Sequence, residues 1–448
     1  MSLSGQNKVT KGRIVEAIIS REEMRNCYFK ETVTTIGKFA ALELEQLYAI
    51  YDERLYVWLA TLWDPQIGGF YFSSSGRDCD AFLPDIESTA QAMHFVQKSG
   101  LLSFYGEDLR GALPSAMREA LLGFTKGLQD KDDGFFYHPQ WGKNVTTPRR
   151  ARDLSWAINL IEKLGGKPNY QTPIDRSGDS DICEKLPYYL KNVDEWKQYL
   201  GGFDMTNSSP VVGSEISSQA IQIAAAGQEY VDELCLFLDE KQNGENGLWE
   251  DKITYGSVDG MVKMLILYNH FGKPLKNAER AMKSALISAL SDDPIRCCTQ
   301  FYNPIGAISG ILDNLRITAR NEDAEALGRS VASHAEELIK KTREKVVICK
   351  RGDGSFSYDL SPSSRFSQKA PVGLGLEEGD INASAMCSTG VLYCLCGALG
   401  IPKIPIFCKK DSKIFFDIID NAIQLQKKYE KPKWFDEAID RTKVRCAQ

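Results

Sequence analysis

Histidine is scarce. The chain has four in 448 residues, His94, His138, His270 and His334, each isolated, so no histidine-rich metal centre is expected. No Cys-x-x-Cys occurs either. The twelve cysteines are scattered, and Cys235, Cys394 and Cys396 lie inside apolar helical stretches, the pattern of reduced, buried thiols rather than of a disulfide framework. No polybasic block breaks the mixed charge of −6, which argues against a nucleic-acid partner. No window reaches the roughly 18 uninterrupted apolar residues of a spanning helix, and no apolar stretch follows the first charges. These absences lead to an expectation of a cytoplasmic chain with no membrane span, no metal and no cofactor.

What is present is a repeat. Four Gly-x-aromatic turns recur: Gly68-Gly69-Phe70, Gly134-Phe135-Phe136, Gly247-Leu248-Trp249 and Gly354-Ser355-Phe356. An amphipathic run precedes each, as in "QEYVDELCLFLDEK", with apolar residues three and four apart. A less charged run follows each: "DIESTAQAMHFVQKSG", "RARDLSWAINLIEKLGGKP", "YGSVDGMVKMLILYNHFGKP" and "DINASAMCSTGVLYCLCGALGIP". "PVVGSEISSQAIQIAAAG" and "YNPIGAISGILDNL" share that character, which makes six. Polar-faced runs near 37–62, 187–200, 275–291, 322–345 and 411–428 supply further partners. Half-solvated helices alternating with small-residue apolar ones describe two layers, outer and inner. The expected fold is all-α, an (α/α)6 barrel, or toroid, of six helical hairpins forming a single domain over 1–448, with a loose tail over 1–20. An open superhelix of helix pairs is the competing arrangement.

The stretch "FLDEKQNGENGLW" resembles the Gln-Trp repeat of the terpenoid cyclases, and "FTKGLQDKDDGFF" is a weaker copy with Thr125 and Phe136 as departures. The resemblance implies the α/α-toroid fold shared by terpenoid cyclases and protein prenyltransferases. It also implies that Gln242 and Trp249 clasp one hairpin to the next. Where class II cyclases carry Asp-x-Asp-Asp-Thr-Ala, this chain reads Asp85-Ile86-Glu87-Ser88-Thr89-Ala90. Glu87 stands at the proton-donating position, but Ser88 replaces the partner acid that such a donor needs. No histidine falls in the zinc frame of the prenyltransferases, and the spacing of Asp380 to Cys387 is wrong for it.

In a toroid, the starts of inner helices face a shared hollow. The carboxylates found there, Asp85, Glu87, Asp153, Glu215 and Asp259, are the catalytic candidates, since paired acids of unequal pKa suit glycosidic-bond hydrolysis. Tyr137, His138, Trp141, Arg149, Arg152, Tyr255, Tyr302, Asn303 and Asp380 are the substrate-binding candidates. Aromatic faces stack on sugar C–H patches, and charged groups bind hydroxyls or carboxylates. Asp85, Glu87 and Asp153 also occupy first turns, where a carboxylate caps free N–H groups without any further role. Two long connections, 168–187 and 359–380, have lid length, and the second could close the hollow with Arg365, Glu377 and Glu378. The expected function is enzymatic: carboxylate acid–base chemistry on a small-molecule or oligosaccharide substrate, of glycoside hydrolase or polysaccharide lyase type. The alternatives are a divergent cyclase-like enzyme using Glu87 as its acid and a non-catalytic binding scaffold.

Overall fold

The computed structural model describes residues 9–106, 108–175, 185–437 and 439–440. It is all-helical apart from two hairpins of two-residue strands, Trp63–Asp64 with Gly69–Phe70 and Phe366–Ser367 with Ala370–Pro371.

Six helical segments pack against one another in chain order and are called inner helices below: Ile86–Ser99, Thr147–Lys163, Met205–Ser217, Tyr255–Phe271, Thr299–Ile317 and Ile381–Leu399. Each touches the next, and the last touches the first. Neighbours run parallel. A Cβ on Gly260 would strike Ser209 and one on Gly213 would strike Lys263. Further round, Asn314 Nδ2 donates to Asn269 Oδ1 (2.8 Å), and Gly397 abuts Ser309. Small side chains therefore set the approach between helices, and larger ones at these positions would push the segments apart. Ile381–Leu399 has the length and composition to cross a membrane, yet it packs as a core element, two thirds buried.

Five of these six segments begin on side-chain caps, Thr299–Ile317 being the exception. The Asp85, Thr146, Thr254 and Asp380 side chains accept from the backbone N–H groups of Ser88, Arg149, Ser257 and Ala383. The expected run 210–227 departs from one helix. Pro210 and the non-helical Ser208 kink Met205–Ser217, and a separate helix, Ala220–Ala226, follows.

The outer helices are amphipathic: Ser115–Gly127, Val193–Gly201, Gln228–Lys241, Ala278–Leu290, Asn321–Ala332, Ala335–Cys349 and Lys409–Leu425 among them. Two details differ from expectation. The run 37–62 is two helices, Lys38–Ala49 and Glu53–Thr61, and the chain from Lys11 on is no loose tail. It forms the helix Lys11–Ile36, which buries Ile14, Ala17 and Ile18 and carries Arg21 to Glu53 (2.5 Å) and Asp411 (3.1 Å). Desolvating that guanidinium is offset only by its two acids, so the helix cannot leave without stranding them.

The Gly-x-aromatic turns are joints between successive outer elements. Gln242 Nε2 donates to Gly247 O (2.9 Å), while its Oε1 accepts from Asn277, the residue before Ala278–Leu290. Trp249 Nε1 donates to Leu238 O (2.9 Å). Gln129 repeats the bond five residues ahead, to Gly134 O (3.1 Å), and also pairs with Tyr170. Gly247 has φ of +72°, and a Cβ there would collide with the Ala281 backbone, so both conformation and clearance require glycine. The fourth turn meets the start of the series, because Gly354 lies against Arg54 and Leu55.

Replacing Gln242 with Ala removes three hydrogen bonds and strands buried partners, so unfolding free energy should fall by about 2–4 kcal/mol in urea titration. Gln198→Ala, at an exposed position, should stay within about 0.5 kcal/mol of the parent.

Candidate functional site

Three of the five expected catalytic carboxylates converge on one guanidinium. Thr147–Lys163 places Arg149 in its first turn, with Asp153 one turn later on the same face. Arg149 Nε donates to Asp153 Oδ2 (2.9 Å) and Oδ1 (3.0 Å), and Nη2 donates to Asp85 Oδ1 (2.7 Å). Glu87 Oε2 lies 3.7 Å from Arg149 Nε. Its other oxygen accepts from Arg152 Nε (3.0 Å) and from Gln91 Nε2 (3.2 Å). Gln91 Nε2 also donates to Asn382 Oδ1 (3.1 Å), which brings in the Ile381–Leu399 segment. Asp85, Glu87, Arg149 and Asp153 are buried, and Arg152 is the partly open member.

His138 completes the group. Its Nε2 is 4.0 Å from Asp85 Oδ2, and its Nδ1 accepts from the Gln140 N–H (3.2 Å). Burial, reinforced by Arg149 and only partly opposed by Asp85, lowers its pKa to about 4, so the ring is neutral near pH 7. Burial pushes the Asp85 carboxyl up, but Arg149, His138 and the Ser88 hydrogen bonds together bring it below the ordinary value. With His138 neutral at ordinary pH, Arg149 and Ser88 are the partners that matter. Asp153 goes the other way. Burial, with the charges of Glu87 and Asp85, outweighs Arg149 and raises its pKa to about 7. Unequal acids a few ångströms apart are the arrangement that acid–base chemistry uses.

The long connection 359–380 covers this cluster through backbone carbonyls. Ser367 O accepts from Arg149 Nη1 (3.2 Å), Gln368 O from the Thr146 hydroxyl (3.2 Å) and Pro371 O from Trp141 Nε1 (2.9 Å). Of the three side chains expected to act in that loop, Glu378 anchors it, accepting from Ser73 Oγ (3.1 Å) and Ser75 N (2.7 Å). Glu377 pairs with Arg351 (3.5 Å), and Arg365 lies over Phe366. Much of the other long connection, 176–184, lies outside the described residues.

The remaining expected residues sit elsewhere. Glu215 accepts from the Tyr199 hydroxyl (3.2 Å); burial raises its pKa against that bond and against the charges of Lys369 and Arg150. Asp259 accepts from Asn303 Nδ2 (2.5 Å) and pairs with Lys263 (3.4 Å), a separate contact between neighbouring inner helices. Tyr255 donates to Asp293 O (3.0 Å) and accepts from Lys345 Nζ (3.1 Å), a staple between helices. Tyr302 packs against Gly390. Tyr137 donates to Asp133 Oδ2 (2.8 Å) in its own turn. Asp380 caps its helix and accepts from the Tyr358 N–H (2.7 Å); burial raises its pKa to about 7. Gln91 was missed from sequence, though it stands one helical turn after Glu87 on the same face. A cavity of about 630 Å³ beside Trp58, Arg77 and Lys428 contains none of the cluster residues.

The pH consequence has a definite sign. An unfolded histidine takes up a proton below pH about 6.5, whereas His138 resists down to about 4, so acidification through that window costs stability. His138→Asn should reduce the loss of unfolding free energy between pH 6.5 and 4 by about 1–3 kcal/mol, followed by urea titration at each pH. Asp153 opposes this trend in the parent, since its raised pKa favours the folded state at low pH and that benefit fades as pH rises to about 7. The difference between parent and variant cancels the Asp153 contribution. No protein-family model matches this chain, and no curated protein matches it.

Proposed function

We propose that the six inner segments close into an (α/α)6 toroid and that the protein is an enzyme cleaving glycosidic bonds in a polar, carbohydrate-like substrate. The ring reading is supported by the parallel neighbours, by the contact of the last inner segment with the first, and by Gly354 meeting Leu55. The functional reading rests chiefly on one observation. Around the arginine-held acids, three buried polar atoms have no hydrogen-bond partner: Glu87 Oε2, Gln91 Oε1 and His138 Nε2. Buried polar atoms are almost always satisfied, so three together are atoms that a ligand's hydroxyls or water would satisfy once the covering loop moves.

Glu87 and Asp153 both approach Arg149 Nε, at 3.7 Å and 2.9 Å. Their carboxylates can be no further apart than those two distances laid end to end, within reach of the ~5–9.5 Å used by carboxylate pairs in glycoside hydrolysis. Asp153, with its raised pKa, is the proton donor in this reading, and Glu87 is the base or nucleophile. Arg152, partly open, orients the substrate. The loop 359–380 must lift to admit it. The cyclase alternative has weaker support, because Ser88 stands where such an acid's carboxylate partner would be, and Ser88 instead bonds Asp85. The ten described cysteines are all free, which supports a reducing, cytoplasmic location.

The scaffold reading also has an observation in its favour: Asp85, Arg149 and Asp153 are buried completely and bonded to one another. A screen of neutral and uronate-containing oligosaccharides, read by mass spectrometry of the products, separates the two. The parent should cleave at least one class, and Glu87→Gln should lower its kcat by roughly 10²–10⁴-fold when assayed well below the variant's own melting temperature, where it is folded. Full activity in that variant would remove Glu87 from the chemistry, and a parent that binds an oligosaccharide without cleaving it is a scaffold.

A further inference from the structure

At the opposite ends of the inner helices a second set of side chains gathers, and it does not depend on the reading above. A cavity of about 410 Å³ opens between the end of Ile86–Ser99, the Ile381–Leu399 segment and the loop 401–407. Lys98, Tyr393 and Lys403 line it, and Tyr393 is 47% exposed. Lys403 Nζ stands 3.1 Å from the Tyr393 ring centroid and Lys98 Nζ stands 5.9 Å from it. Gln97 also lines this cavity, and it accepts from Lys163 Nζ (3.3 Å) at a neighbouring cleft that holds His94.

The charge balance here is one-sided. Among the described residues, no carboxylate pairs with Lys98, Lys163 or Lys403. The cations act on one another instead. After burial, Lys163 and Lys98 both favour the neutral form of His94, and Lys98 adds to the burial that lowers Lys163. Lys98 and Lys163 occupy last helical turns, where the helix dipole welcomes a cation, and that alone would explain them. It does not explain Lys403, which belongs to no helix. The loop that carries Lys403 is held rigidly: Tyr28 donates to Pro402 O (2.8 Å), Tyr48 to Ile404 O (3.2 Å) and Arg25 Nη2 to Ile406 O (3.1 Å). Three side chains thus fix a loop that seats an ammonium, with no carboxylate partner among the described residues, on one face of a half-exposed aromatic ring. In the same wall, the Ser103 hydroxyl lacks a partner.

We propose that this cavity binds the phosphate group of a small molecule, with Lys98 and Lys403 as its counter-charges and Tyr393 as the platform for whatever ring the phosphate carries. Phosphate is favoured over a carboxylate because the site offers ammonium point charges and no guanidinium fork to match a planar, bidentate group.

Calorimetric titration with inorganic phosphate and with glucose 6-phosphate tests this, with potassium chloride at equal ionic strength as the control. The full chain should bind phosphate, and Lys98→Met with Lys403→Met should weaken binding at least about tenfold. Lys252→Met, an exposed position remote in sequence, should leave it unchanged. Melting curves of each variant report whether it folds, and Lys403→Gln alone offers a milder change to the same contact. Tighter binding of glucose 6-phosphate that Tyr393→Ala abolishes would identify a phosphorylated ring compound; equal affinities would identify free phosphate. No heat beyond that of chloride, or undiminished binding by the folded double variant, overturns the proposal.

Discussion

A guanidinium without access to water must be neutralised by its neighbours, and Arg149 imposes that requirement on this end of the molecule. It sits in the first turn of a helix, where exposed N–H groups already carry positive charge and a cation is disfavoured. Asp85 from one helix start, Asp153 from the next turn and Glu87 nearby overcome both penalties, so that the charges hold Arg149 ionised despite its burial. Removing any one partner leaves an uncompensated buried charge, a change that typically costs about 3–5 kcal/mol. The cluster thereby fixes the relative position of Ile86–Ser99 and Thr147–Lys163 more tightly than apolar packing alone would.

The same arginine explains the loop above it. Its remaining Nη1 needs an acceptor, and the acids present do not reach it; Ser367 O does. That carbonyl belongs to a hairpin whose two turn residues, Gln368 and Lys369, have φ of +48° and +66°. Such a two-residue turn suits the twist of its strands, yet it prefers glycine or asparagine, and each bulkier residue there costs of order 1 kcal/mol or more. The hairpin keeps this geometry because Arg149, Thr146 and Trp141 each donate to one of its carbonyls. Three bonds to the cluster beneath it thus hold a strained turn in place.

Much of this architecture was legible in local sequence because its causes are local. The Gly-x-aromatic turns need glycine at positive φ against the next element, and the caps at Asp85 and Asp380 announce the helices they start. Asp85 and Glu87 could be grouped from sequence because each lies within a turn of a helix start, whereas Asp153, expected in a first turn, lies in the second and joins them through Arg149. Glu215 lies near the end of a kinked segment, where it bonds Tyr199 and feels the charges of Arg150 and Lys369 rather than that of Arg149. Asp259 finds Asn303 and Lys263, partners whose register depends on how tightly Gly260 and Gly310 let the helices approach. The helix from Lys11 also escaped notice, because its packing rests on Arg21 and Arg25, polar residues that periodicity counts as solvent-facing.

The parallel direction of the inner helices ties these observations together. Each helix presents partial positive charge at its start and partial negative charge at its end, and parallel neighbours add rather than cancel. Acids collect at the starts, at Asp85, Glu87 and Asp380, and cations stand at the ends, at Lys98 and Lys163. Two exceptions follow neither rule. Arg149 stands at a start, and it is the residue on which the acids converge. Lys403 stands outside every helix, so its charge answers no dipole, and it is held over an open ring by a loop with three anchors. Where a charge contradicts the field of the elements around it, some other interaction must hold it there. For Arg149 that interaction is visible as three carboxylates, whereas for Lys403 no carboxylate among the described residues pairs with it.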